Sequence, residues 1–71
     1  MSLYQSVVDD LAAVGHAGWA RVARASKVPM STLRKVAYQH VTEPRASTIE
    51  RLRAGLDRLQ REEARRRARS S

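Results

Sequence analysis

The run from Trp19 to Val36 constrains the fold of this chain more than any other segment. Its small and branched apolar residues fall at the offsets that pack two short helices across a tight turn. Val22 and Ala23 share one face of the first helix, Val28 follows the turn, and Leu33 and Val36 recur at helical spacing on the second. Met30, Ser31, Arg34 and Lys35 take the opposite side of that second helix. A helix that buries one stripe and shows solvent a short polar, basic stripe has the shape and charge to enter a DNA major groove. The run therefore predicts a helix-turn-helix, with the remainder of the chain as its support.

Size and charge narrow the function. Seventy-one residues make one small domain, enough for a modest core but not for a core plus an enclosed catalytic pocket, so an enzyme is the least expected class. There is no cysteine, hence neither a disulfide nor a thiolate metal site, which fits a reducing compartment. No apolar run approaches the roughly 20 residues of a membrane span, and the first residues lack a basic region followed by an apolar one. The expected location is the bacterial cytoplasm, in association with the nucleoid.

Fourteen basic residues against seven acidic give a net charge of +7, a field that attracts nucleic acid first and an anionic membrane second. The charge is segregated. Residues 1–20 hold Asp9 and Asp10 and no Lys or Arg, whereas every base lies in residues 21–71. Segregation of this kind points to a binding face. Twelve of the bases are Arg, the side chain suited to bidentate phosphate and guanine contacts, although a GC-rich genome accounts for the same bias.

The expected architecture is an all-α bundle of four, or five, helices. The first runs from about Leu3 to Val14, with Leu3, Val7, Leu11 and Val14 as its stripe, and Ser2 and Gln5 form a capping box. Gly15 is the expected left-handed cap, and Gly15 to Gly18 the connection to a second helix over about Trp19 to Ala25. Ser26, Lys27 and Val28 form the turn. A third helix starts near Pro29 or Met30, where proline is tolerated, and ends near Tyr38. A loop over residues 39–46 follows, with Val41 tucked under it. Ser47 and Glu50 make a second capping box for the fourth helix, whose stripe is Ile49, Leu52, Leu56 and Leu59. The expected core is Val7, Leu11, Trp19, Val22, Ala23, Val28, Leu33, Val36, Ile49, Leu52 and Leu56. Residues 1–60 form the DNA-binding domain, and residues 61–71 a basic helical extension or a frayed, disordered tail.

These residues carry a resemblance. Trp19, Val22-Ala23, Val28, Thr32-Leu33, Lys35-Val36-Ala37, Pro44, and Thr48 with Leu52 resemble the DNA-binding domain of the lambda-repressor and Cro superfamily of bacterial and phage regulators. The likeness spans residues 3 to 59. Two positions depart from the pattern: Lys27 stands where the turn normally has glycine at positive φ, and Ser26 where an apolar residue is normal. The resemblance implies that the third helix reads bases through Met30, Ser31, Arg34 and Tyr38, with Arg34 the candidate for guanine. It assigns phosphate contacts to Arg21, Arg24, Lys27, Thr32, Lys35, Gln39 and Arg45. It further implies a sequence-specific regulator of transcription, a repressor acting by occlusion, without cofactor or small-molecule ligand. Such a module gains specificity as a homodimer on two operator half-sites, and the fourth helix with Leu56 and Leu59 is the candidate dimer surface.

Other readings stay open at this stage. The same fold serves as a protein-interaction adaptor, such as an antitoxin or a phage assembly factor, or as a binder of structured RNA. His16 and His40 lack the spacing of a zinc site, and Asp9, Ser6 and His16 make no evident nucleophilic triad. Trp19 is assigned to the core rather than to base stacking, and Tyr4 to packing. Arg65, Arg66, Arg67 and Arg69 can follow a DNA backbone or simply solubilise the end of the chain; a mixed Glu/Arg helix is a poor membrane binder.

Overall fold

The computed structural model describes residues 2–40 and 45–70; Val41, placed under a loop by the sequence, lies outside them, as does Pro44. The described residues form four helices and no strand: α1 (Leu3–Val14), α2 (His16–Ser26), α3 (Met30–Ala37) and α4 (Ala46–Ser70). No helix among the described residues is long and apolar enough to cross a membrane.

Local chemistry sets the boundaries. The Gln5 amide donates to Ser2 Oγ at 3.1 Å, which caps α1, but the Gln5 side chain turns to Asp9 instead of closing the capping box. Gly15 alone separates α1 from α2. Its φ of 79° is positive as expected, yet its ψ of 165° is extended, so the cap is not the left-handed helical one. That single reversal lets α2 begin at His16, and the expected four-residue connection does not exist. At the other end of α2 the chain turns at Lys27, whose φ of 58° and ψ of 37° are left-handed. Pro29 then precedes α3 in an extended conformation, and its carbonyl accepts from the Leu33 amide at 2.9 Å.

α4 differs from its expected form at both ends. It begins at Ala46, and the Arg45 carbonyl accepts from the Thr48 and Ile49 amides, so Ser47 sits inside the first turn and is not the cap. At its far end the helix does not fray at Arg61 but continues to Ser70. Pairs one turn apart, Arg58–Glu62 and Glu63–Arg67, support that extension.

The core gathers Val7, Leu11, Trp19, Val22, Val28, Leu33, Val36, Ile49, Leu52 and Leu56, together with Val8, which the sequence reading omitted. Ala23 is half-buried against this cluster. The expected stripe of α1 holds only at its centre, since Leu3 and Val14 at its two ends are exposed. Trp19 donates its indole N–H to the Leu11 carbonyl at 2.9 Å, and that carbonyl also accepts from Gly15, so one oxygen fixes the angle between α1 and α2. Tyr4 packs half-buried on the core, and its hydroxyl has no hydrogen-bond partner among the described residues.

The joint between α2 and α4 depends on two small residues. A Cβ at Gly55 would lie 2.8 Å from Ser26 Cβ and 2.9 Å from the Ser26 backbone nitrogen, so the helices touch backbone to backbone at this crossing. Ser26 is buried there and returns its hydroxyl to the Val22 carbonyl at 2.6 Å. Its departure from an apolar residue is explained: a larger side chain would hold α4 away. On the α1 side, Arg53 donates to Ser6 Oγ and to Asp57 and pairs with Asp10. Burial alone would lower the pKa of Arg53, but its hydrogen bonds to Asp10 and Asp57 outweigh that and raise it.

Candidate nucleic-acid interface

α3 is a short helix held firmly by one side. Leu33 and Val36 are buried, and Met30 and Ala37 pack half-buried against the same cluster. Ser31, Arg34 and Lys35 are exposed and fall at i, i+3 and i+4, so they share the outward face. Tyr38 follows one turn later as the C-cap and is 49% exposed. Met30, expected among the base readers, packs part of its side chain against the core and leaves part exposed at the start of α3. Thr32 is half-buried on the flank of the helix.

Charge isolates this face. Residues 16–40 hold Arg21, Arg24, Lys27, Arg34 and Lys35 and not one carboxylate. Every ion pair among the described residues lies on α4 or between α4 and α1. The paired carboxylates Asp10, Asp57, Glu62 and Glu63 thus belong to α1 and α4, and among the described residues no ion pair neutralises a cation of α2 or α3. Arg34, exposed at mid-helix and without an ion pair among the described residues, can pair its forked donors with an external acceptor.

The remaining expected contacts divide into two groups. Lys27 is exposed at the turn before α3, Gln39 is exposed just after it with a left-handed φ of 57°, and Arg45 is exposed ahead of α4. Arg21 and Arg24 are exposed on α2. Both line a groove of about 540 Å³ between α2 and the distal half of α4, whose apolar lining includes Val14, Ala25 and Leu59. Leu56, the expected dimer residue, is fully buried within the protomer and is not available to a second copy.

One feature at the end of α3 went unread in the sequence. His16 stacks on Trp19 with centroids 4.1 Å apart, Trp19 meets Tyr38 edge-on at 5.5 Å, and His40 lies 5.9 Å from Tyr38. The Tyr38 hydroxyl is 2.9 Å from His16 Nε2. Tyr38 is thereby tied to the start of α2 and clamps the end of α3 in place, with only part of its ring open to solvent. The i, i+3 spacing of His16 and Trp19 is the sequence signal for this contact. Among the described residues no group of three or more potential metal ligands occurs. Comparison of the chain with protein-family models, curated proteins and solved structures returned no match.

Proposed function

We propose that this chain is a sequence-specific binder of double-stranded DNA in which α2, the turn at Lys27 and α3 act as a helix-turn-helix of the lambda-repressor type. The observation that carries the reading is the outward face of α3: Ser31, Arg34 and Lys35 exposed on an anchored helix, in a stretch of 25 residues without a carboxylate. α3 enters the major groove, Arg34 pairs with guanine O6 and N7, and Ser31 reads a neighbouring base. Lys35, Lys27, Gln39 and Arg45 hold phosphates and set register. Arg21 and Arg24, exposed on α2, are the further phosphate candidates. The regulatory role that follows is repression by occupancy of an operator, strengthened by dimerisation on two half-sites about 34 Å apart. Val14 and Leu59, at the groove between α2 and α4, are the apolar candidates for such a contact.

Titration against a duplex selected from a random pool, at several salt concentrations, tests the reading. Arg34→Ala is expected to lose about 1–3 kcal/mol and to relax preference at one base pair. Lys35→Ala is expected to weaken all sequences alike and flatten the salt slope by about one unit. Identical behaviour of the two variants on selected and random DNA would remove base reading from α3.

A further inference from the structure

We propose that α4 carries a second, sequence-independent duplex-binding surface, a line of guanidinium groups from Arg51 to Arg69 facing away from the core, so that one protomer holds two DNA segments. Arg51, Arg61, Arg65 and Arg69 follow one another at spacings of ten, four and four residues and are exposed, with Arg58, which pairs with Glu62 and borders the groove against α2, at the edge of the line. On a helix these positions fall within an arc of about 80° along about 27 Å. Ile49, Leu52 and Leu56 occupy the other side of α4, seated in the core. α4 packs chiefly on α2 and α1, and α3 packs on those same two helices. The two cationic surfaces are carried by different helices.

The line is unfavourable unless something negative lies along it. Arg61–Arg65 and Arg65–Arg69 are like-charge neighbours one turn apart, which destabilise a helix. Residues 61–69 are exposed throughout, so no buried apolar contact offsets that repulsion. The two carboxylates of this half are already engaged, Glu62 by Arg58 and Glu63 by Arg67. Arg51, Arg61, Arg65 and Arg69 have no ion pair among the described residues. Ala54 and Ala68 are the apolar neighbours of the line, too small to anchor a membrane or a partner helix. A rod-shaped polyanion suits it, because duplex phosphates present closely spaced charge over the same length and release counterions when neutralised.

The inference rests on the reading of α3 as the specific surface, and its test separates the two. Selected duplex is immobilised, protein is added, and capture of a second, fluorescent duplex of random sequence is measured for three proteins. These are the wild type, an Arg34→Ala/Lys35→Ala variant and an Arg61→Ala/Arg65→Ala/Arg69→Ala variant, the last checked for helicity by circular dichroism. The α4 variant is expected to keep its affinity for the selected duplex within about threefold while second-duplex capture falls by about tenfold or more at low salt. Capture by the α4 variant equal to that of the wild type, or no capture by the wild type, overturns the second surface. If the α3 variant instead binds selected and random duplexes as the wild type does, while the α4 variant binds neither, the reading of α3 fails and the Arg line stands as the DNA-binding surface.

Discussion

The two ends of the dipeptide Ser26-Lys27 meet opposite demands at neighbouring joints. At the α2–α4 crossing a glycine is present because space requires it: a Cβ on Gly55 would press on the backbone of Ser26. At the α2–α3 turn the backbone requires the left-handed conformation that glycine adopts freely, and the chain supplies lysine. The first joint tolerates no larger residue, because backbone cannot move aside without shifting a helix. The second tolerates lysine at a small conformational cost, and its side chain keeps one more cation beside α3. Packing is enforced more strictly here than backbone preference.

Three substitutions sharpen or break that contrast. Gly55→Ala is the largest. In an unhindered helix alanine stabilises by about 1 kcal/mol over glycine, whereas overpacking costs about 1–3 kcal/mol, so the sign of the change identifies the crossing as a contact. A net loss of up to about 2 kcal/mol is expected, a fall of up to roughly 10 °C in Tm for a chain of this size. A raised Tm would mean that the helices do not touch there. Lys27→Gly is expected to act in the other direction, stabilising by up to about 1 kcal/mol in chemical denaturation, because it relieves the left-handed φ. A loss of stability would show that the turn is not left-handed. Ser26→Ala is the smallest. The Val22 carbonyl it releases lies within the helix, and alanine preserves the Cβ, so the change is expected to stay within about 1 kcal/mol. A loss comparable to that of Gly55→Ala would make the hydroxyl, and not the short side chain, the reason for serine.

Much of the molecule was legible in the sequence because it rests on short-range periodicity. The stripe Leu33–Val36 and its opposite Ser31, Arg34 and Lys35 needed only the helical repeat. The end of α1 at Gly15 was legible as well, but not how little chain the turn consumes: a positive φ with an extended ψ reverses direction in one residue, so His16, assigned to a loop, starts a helix. Ser47 looked like a cap because serine three residues before Glu50 matches a capping box; Arg45 and Ala46 already complete the entry to α4. Arg21 and Arg24 carry the right charge for a phosphate contact, yet only the long course of α4 makes them walls of a groove. The distal half of α4 has no apolar stripe, and its helix follows from continuity with a packed half and from ion pairs one turn apart.

By itself the sequence determined an all-helical chain, its core stripes and the exclusion of acid from residues 16–40, since each follows from residue type and local spacing. Only the tertiary structure decided where those cations point, that Ser26 and Gly55 meet, and that Leu56 is closed to a second copy. These depend on which helices cross and how closely, and that is set by side chains far apart in the chain competing for the same interior.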